Sequence, residues 1–257
     1  MAEKEMVFTN DELARRVWEK ECIVQLINRH RYYYGNDMRR EELSRLWVRK
    51  PENRATASLG NNIGYYMGMD EIARHYVLDR DKLRYERLKA YCDADPGIEY
   101  SSKNLGLGIG AIHTATTPVV NIADDGRTAQ YLGYGLNYKA YGKPDGSADA
   151  YFDFGLIFAD LMKEDGEWKI WHLVLQHDHT VEVGSDYSKV PVLRAFGEDP
   201  LELEFGNPTV AANVYNPLYG WEYIYQDMPK PYYSYTDKDG YGPGGDLGKA
   251  YYERERR

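Results

Sequence analysis

The chain has 257 residues, a formal net charge of −9 and a pI near 5.3, which allows one large domain or a domain with an arm. The acidic balance argues against nucleic acids and anionic membranes as partners, because both require a basic surface. The polar N-terminus and the lack of a long apolar run predict neither a signal peptide nor a membrane span, so we expect a cytoplasmic protein.

The 25 tyrosines suit a pocket for an aromatic, oxygenated ligand. Cys22 and Cys92 show no metal or redox spacing and are expected to be free thiols.

The first predicted element is a long helix that begins after Thr9 and ends at Gly35. Thr9 and Glu12 fit a capping box at its start. Apolar residues recur along the helix at spacings of three and four. Its last turn places three polar or aromatic side chains on the apolar side: His30, Tyr33 and Tyr34.

Two more helices are predicted before the sheet. A short one covers residues 38–48 and is stopped by Pro51, and a longer one runs from Met69 to Tyr91. Residues 54–68 are expected to form a loop or a short pair of strands. Residues 93–109 form a glycine-rich connector.

Residues 110–179 predict a curved antiparallel sheet of three or four long strands. Three Asp-Gly turns separate the β-rich runs: Asp125-Gly126, Asp145-Gly146 and Asp165-Gly166. The strands are about 12–16 residues long against a usual length of about 5–6, which indicates a strongly bent sheet. The predicted fold class is therefore α+β, with three N-terminal helices packed on one face of the curved sheet.

The composition changes beyond Gly184, where proline, glycine and tyrosine dominate without a sustained period. The segment is too aromatic for a free disordered tail. We therefore divide the chain into a helix-and-sheet domain over residues 1–184 and an extended arm over residues 185–257. The arm is expected to pack on its own domain or on a neighbouring subunit, across the mouth of a pocket, with three aromatic anchors: Trp221, Tyr223 and Tyr232.

The order of these elements, with four sequence motifs, resembles the SnoaL-like and scytalone dehydratase-like branch of the nuclear transport factor 2-like superfamily. The motifs are Leu43/Leu46/Trp47, Gly68-Met69-Asp70-Glu71-Ile72, H-x(4)-P-V-V-x-I-x-x-D-G-x-T-A from His113, and E-D-G-E-W-K-I from Glu164. The resemblance covers residues 10 to 180, roughly. It implies a cone-shaped α+β barrel, closed by the first helix, with an apolar pocket inside and no cofactor.

The resemblance also implies catalytic positions. His113 falls where scytalone dehydratase has a catalytic histidine, and Tyr138 stands where that enzyme has a second one. Tyr33 or Tyr34 falls near its helix-end tyrosine. Its active-site serine and asparagine are replaced here by Gly155 and Ile157, which argues against scytalone as the substrate.

Asp153 lies in an apolar and aromatic strand, where strand alternation gives it the same face as Tyr151. A carboxylate inside the cone would have a raised pKa, as a general acid or base requires. Two alternatives stay open at this point. Asp153 could face solvent or bind an arm residue, and His113 could be a hydrogen-bonded structural histidine.

The candidate site residues fall into two groups. The catalytic candidates are His113, Asp153, Tyr34 and Tyr138. The candidates for substrate binding are His30, Tyr33, Trp47, Tyr134 and Tyr151. We expect no metal site, because the His177-Asp178-His179 run lacks a third ligand at recognisable spacing.

These features favour a cofactor-independent lyase that acts by proton transfer on a phenolic or aromatic small molecule. The reaction would be a dehydration or the loss of a small carbonyl fragment such as formaldehyde. The alternatives are an isomerase or cyclase acting on an enolisable ketone, and a non-catalytic module that binds a small molecule. The apolar residues on the opposite face of the sheet predict a homodimer or homotrimer.

Overall fold

The computed structural model describes residues 8–61, 64–185, 209–211, 228–236, 238 and 240–243. Helices pack against an open, curved, eight-stranded sheet, and the α+β fold class predicted from the sequence is confirmed. Within the described residues, no helix combines the length and the apolar character that crossing a membrane requires.

Five α-helices are present in the described residues. They are α1 (Asn10–Gly35), α2 (Arg39–Arg45), α3 (Pro51–Thr56), α4 (Met69–Ala73) and α5 (Arg80–Ala94). A π-helical turn, Arg74–Asp79, joins α4 directly to α5, so the three pieces form the long third helix that the sequence predicts.

The strands are β1 (Ser58–Asn61), β2 (Gly64–Met67), β3 (Ile109–His113), β4 (Thr116–Ile122), β5 (Thr128–Gly142), β6 (Ala148–Glu164), β7 (Glu167–Glu182) and β8 (Val210–Ala211). Their order in the sheet is β3-β5-β6-β7-β1-β2-β8, and β4 also pairs with β5. All neighbours are antiparallel except β1 and β7. Strands β5, β6 and β7 contain 15, 17 and 16 residues, so they are long enough to bend around a pocket.

Helix α1 lies along the concave face of the sheet. The predicted capping box is present, since Thr9 accepts from the Glu12 backbone and Glu12 accepts from the Thr9 backbone. Buried Ile23 and Ile27 place its apolar side in the main core. The Arg16 guanidinium donates to the Ile122 carbonyl at 2.7 Å and ties the start of α1 to β4. The C-terminal end of α1 therefore lies at the end of the sheet opposite to this contact.

The three Asp-Gly hairpins form as predicted. Gly126, Gly146 and Gly166 have φ of 70°, 85° and 85°, in the left-handed region that glycine adopts without steric cost. They connect β4 to β5, β5 to β6, and β6 to β7.

The predicted single strand that starts at Ile112 is instead divided into β3 and β4, which both pair with β5. The register shifts between Thr116 and Val119, where Thr117 has φ of 48° and Pro118 has no amide hydrogen to donate. A second correction concerns Pro51, which starts α3 because its missing N–H is not needed in the first turn. Residues 58–61 and 64–67 form the strand pair that the sequence allows as one option.

Three described pieces of the arm have defined positions: β8 pairs with β2 at the edge of the sheet, Tyr241 packs on the convex face, and Tyr232 lies at the β4–β5 turn. Tyr241 is fully buried against Phe158, and its amide donates to Asp160 at 2.7 Å. Tyr232 bonds Thr128 at 3.1 Å, at the start of β5. The other two predicted anchors, Trp221 and Tyr223, lie outside the described residues.

Candidate active site

A cavity of about 600 Å³ lies between the end of α1, helix α5 and the concave side of strands β3, β5, β6 and β7. This volume falls in the usual range for small-molecule sites, about 300–1,000 Å³. Four tyrosine rings line it: Tyr34, Tyr76, Tyr141 and Tyr151. A small recess of about 20 Å³ adjoins it, and four residues line both spaces: Tyr34, His113, Leu175 and His177.

A histidine–carboxylate pair forms part of the wall at this recess. The Nδ1 of His177 lies 2.8 Å from Oδ1 of Asp153, which is fully buried. Because a carboxylate only accepts, Nδ1 carries the hydrogen and Nε2 carries the lone pair. The carboxylate therefore fixes both the tautomer and the orientation of the ring, as in hydrolases that use histidine as a base.

Asp153 is also held from its other oxygen. Lys139 donates to Oδ2 at 2.9 Å and the Asn137 amide does so at 3.4 Å. Burial alone would raise the pKa of Asp153, but the adjacent His177 and Lys139 outweigh it and hold this pKa well below the ordinary value. The expected raised pKa is thus wrong, and Asp153 is a fixed anion that orients His177.

A β-bulge places His177 in this position. The β6–β7 register shifts between Phe154 and Gly155, so that Gly155 pairs with His177 while Asp153 pairs with Thr180. A Cβ at Gly155 would collide with the Gln176 carbonyl oxygen. Glycine is therefore required where the strands approach, and the position of the dehydratase serine cannot carry a side chain here.

His113 contributes to the same recess from the end of β3. The Arg31 guanidinium lies 3.2 Å from its Nδ1, and because a guanidinium only donates, Nδ1 carries the lone pair and Nε2 carries the hydrogen. Burial, with the charges of Arg31 and Lys139, lowers the pKa of His113 to about 2. His113, a catalytic candidate from the sequence, is consequently a neutral hydrogen-bond donor in this recess.

Tyr34 packs edge-on against His113, with ring centroids 4.5 Å apart. The Arg39 guanidinium lies over the Tyr34 ring at 4.4 Å from its centroid. Burial would raise the pKa of the phenol, but Arg39, followed by Lys139, Arg80 and Arg31, lowers it to about 8. The Tyr34 hydroxyl is therefore a stronger acid than an ordinary tyrosine, whose pKa is about 10.

A buried polar cluster supports this end of the pocket. Glu42 accepts from His30 Nδ1 at 2.9 Å, from Trp47 Nε1 at 3.1 Å and from the Tyr76 hydroxyl at 2.8 Å. Burial and the charge of Glu42 raise the pKa of Tyr76 well above its ordinary value, so its phenol stays protonated. His30 and Trp47 are fully buried beneath the cavity and do not line it.

The π-helical turn also shapes the wall. It brings two consecutive residues, His75 and Tyr76, into the lining of the cavity. A π-turn inserts one residue into a helix and re-aims the side chains that follow. His75 is held by stacking on Tyr66, with ring centroids 3.7 Å apart.

The structure brings together four of the nine predicted site residues. Tyr34, His113 and Tyr151 line the cavity, and Asp153 lies directly behind His177.

The other five predicted residues do not reach the cavity. Tyr138 and Tyr134 follow the opposite parity from pocket-lining Lys139 on β5 and lie on the convex side, where Tyr138 contacts Phe152. Tyr33 instead accepts a hydrogen bond from Arg45 at 3.1 Å. His30 and Trp47 support the pocket from below, as described above. Tyr138 therefore cannot take the place of the second catalytic histidine of scytalone dehydratase, because the inward positions on β5 are its two neighbours.

Sequence reasoning missed the residues that complete the site: Arg31, Arg39, Asn137, Lys139 and His177. A signal for Arg31 exists, since it follows Ile27 by four residues on the buried side of α1. The sequence draws attention to His177 only through its metal-like spacing from His179. Within the residues that the structure describes, no group of three or more His, Cys, Asp or Glu side chains is arranged to hold a metal ion.

Several solved structures are similar to this chain at low sequence identity. A protein assigned as a scytalone dehydratase from Novosphingobium aromaticivorans is 16% identical, with a TM-score of 0.45 over 70% of this chain and 97% of that one. The hexachlorocyclohexane dehydrochlorinase LinA-type3 from Novosphingobium barchaimii is 13% identical, with a TM-score of 0.43 over 66% of this chain and 94% of that one. The Kfla4162 protein from Kribbella flavida is 10% identical, with a TM-score of 0.44 over 63% of this chain and 92% of that one. No curated protein matches the chain.

The family model described as the SnoaL-like domain matches residues 15–174, which is more than half of the chain. The match covers most of α1, strands β1 to β6 and the pocket lining except Leu175, His177 and Thr180. This match agrees with the resemblance noted from the sequence motifs. The chain therefore belongs to the SnoaL-like domain family.

Proposed function

We propose that the protein is a cofactor-independent lyase that acts on an aromatic small molecule by general acid–base proton transfer. The observation that carries the proposal is the Asp153–His177 pair, which shares a recess with the neutral donor His113 and the acidified phenol of Tyr34. A base, a hydrogen-bond donor and an acid around one space are the groups that an elimination requires.

In a dehydration, Nε2 of His177 takes a proton from the carbon next to the one that carries the leaving hydroxyl. The electron pair of that C–H bond forms the new double bond as the C–O bond breaks. Tyr34 donates its proton to the departing oxygen, which leaves as water. His113 Nε2–H donates to an oxygen that gains negative charge, and proton return from His177 to Tyr34 completes the cycle.

Loss of formaldehyde uses the same base. His177 takes the proton of a hydroxymethyl group, the O–H electron pair forms the carbonyl, and the C–C bond breaks. Its electrons pass to the carbon that carried the hydroxymethyl group and are stabilised by the adjoining conjugated system, and His177 returns its proton to the substrate as formaldehyde leaves. The aromatic substrate class is supported by the four tyrosine rings of the lining and by the cavity volume of about 600 Å³.

The test is product analysis by mass spectrometry after incubation with a panel of phenolic compounds that carry a β-hydroxyl or hydroxymethyl group. We expect a product lighter by water or formaldehyde, formed by the wild-type protein and lost in His177→Asn. A product with the mass of its substrate would indicate the isomerase or cyclase alternative. A ligand that binds and is recovered unchanged across the panel would indicate a binding module, and either result would contradict the lyase.

A further inference from the structure

One wall of the cavity is positively charged. Arg80, Arg84 and Arg87 line it from α5, and their spacing of four and three residues places them on one face of that helix. We call these three residues the arginine stripe. The remaining charged residues of the lining are two cations, Arg39 and Lys139, and two acids, Asp37 and Glu86. Five cations against two acids make the pocket positive in a protein whose net charge is −9.

Internal acids compensate only part of this charge. Arg84 is bonded to Asp37 and Asp81, and Lys139 is bonded to Asp153. Arg87 instead lies over the Tyr141 ring, 4.6 Å from its centroid, a contact that leaves its net charge in place.

Arg39 also has a buried hydrogen-bond donor that lacks an acceptor among the described residues. Its guanidinium lies over the rings of both Tyr34 and Tyr76, at 4.4 and 4.8 Å from the ring centroids. Its buried Nε lies 3.5 Å from Asp37 as an ion pair but has no hydrogen-bond partner among the described residues. A buried donor of this kind is normally satisfied by an acceptor, and the cavity is the space next to it.

From the charge of this wall we propose that the aromatic substrate carries a carboxylate, which the arginine stripe binds. This inference extends the function proposed above and rests on it. A guanidinium binds a carboxylate through two parallel hydrogen bonds, which fixes orientation as well as affinity. At neutral pH a carboxylate is ionised whereas a phenol with an ordinary pKa is not, so the carboxylate is the anion that this wall fits. The carboxylate then anchors the molecule at α5, and its ring extends toward Tyr34 and His177.

The test compares two probes of the same shape, 4-hydroxycinnamate and its neutral methyl ester, by calorimetric titration of the full chain at pH 7. We expect the carboxylate to bind at least about tenfold more tightly than the ester. Arg87→Gln and Arg80→Gln should each bring this ratio towards one, and added salt should lower it. Arg15→Gln, an exposed arginine near the other end of α1, serves as the control and should keep the ratio.

Equal binding of the two probes, tighter binding of the ester, or binding of neither would overturn the carboxylate site. His177→Asn separates this result from the lyase proposal, because it should abolish turnover and leave the preference for the carboxylate intact. If no lyase product forms but the preference and its loss in Arg87→Gln both hold, the lyase fails and the anion site stands. If neutral aromatic compounds are turned over and the ester binds equally well, the anion site fails alone.

Discussion

Asp153 and His177 lie on adjacent antiparallel strands, and a 2.8 Å hydrogen bond joins the buried carboxylate to the Nδ1 of the imidazole. The bulge opposite Gly155 offsets the two residues, so that they meet although they are not register partners. His177 is thereby oriented by an anion, while His113 is oriented by the cation Arg31. The two histidines of the recess therefore have opposite proton arrangements, which favours a base in one and a donor in the other.

The first prediction separates these two roles. His177→Asn should lower kcat by at least about 100-fold, because the proton acceptor is removed. His113→Asn should cost about tenfold, since an asparagine amide can still donate a hydrogen bond where Nε2–H did. Steady-state kinetics on a compound found in the product screen would measure both. A larger loss in His113→Asn than in His177→Asn would contradict the assignment and indicate His113 as the base.

The second prediction concerns the ionisation of Tyr34. Its pKa of about 8 predicts that one tyrosine ionises at about pH 8, whereas ordinary tyrosines ionise at about pH 10. Titration followed by the ultraviolet absorbance of tyrosinate should show this early step in the wild type and lose it in Tyr34→Phe. Tyr138→Phe is the matched control, because Tyr138 lies on the convex side and its removal should leave the step unchanged.

Enzyme activity should follow the same titration. Tyr34 donates a proton only while its phenol is neutral, so kcat should fall as the pH rises through about 8. In Tyr34→Phe the residual activity should lack this alkaline decrease. If the decrease persists in that variant, another group controls it and Tyr34 is not the acid.

The third prediction concerns stability at low pH. Because folding lowers the pKa of Asp153, its ionised carboxylate stabilises the fold above about pH 4, the ordinary pKa of an unfolded aspartate. This contribution is lost as the pH falls through the lower pKa of the folded state. Asp153→Asn leaves Lys139 without its anion, so it should reduce the free energy of unfolding by about 3 kcal/mol at pH 7.

Urea denaturation at several pH values would measure this effect. The difference between the wild type and Asp153→Asn should shrink as the pH falls below about 4. Asp149→Asn removes the exposed pair with Lys143 and should leave the free energy of unfolding nearly unchanged, because water and salt screen exposed charges. A difference between wild type and Asp153→Asn that does not change with pH would show that lost packing, rather than lost charge, causes it.

Sequence patterns predicted the parts of the fold that local chemistry determines. The Asp-Gly pairs gave the hairpins because glycine allows the positive φ that these turns need. The capping box gave the start of α1 for a similarly local reason. The division between β3 and β4 was missed, since the bend at Thr117 depends on how two strands share β5 as a neighbour.

The candidate site was less accessible to sequence reasoning. Alternation placed Asp153 and Tyr151 correctly on one face, but it could not choose between Tyr138 and Lys139 on β5, where both faces carry tyrosines. The pairing of His177 with Asp153 depends on a bulge between strands, which leaves no local signature. The pKa values of Tyr34 and His113 arise from arginines and a lysine brought together only by the fold.

The fourth prediction concerns self-association through the convex face of the sheet. Leu136 and Phe154 are register partners on β5 and β6, as are Tyr138 and Phe152, so their side chains form one continuous patch. Phe152 and Phe154 are 39% and 38% exposed, and Leu136 is 47% exposed. Contiguous apolar patches of this kind commonly mark protein interfaces, so we expect a homodimer or homotrimer.

Sedimentation velocity over a range of protein concentrations would measure the assembly. Phe154→Glu should shift the protein toward the monomer, because a carboxylate in the middle of the patch would have to be desolvated on association. Tyr32→Glu changes a residue that is 74% exposed on α1, away from the patch, and should leave the assembly unchanged. A wild-type protein that sediments as a monomer at micromolar concentration would contradict the prediction. An assembly that resists Phe154→Glu would place the interface on another surface, because the desolvation cost falls only on a buried carboxylate.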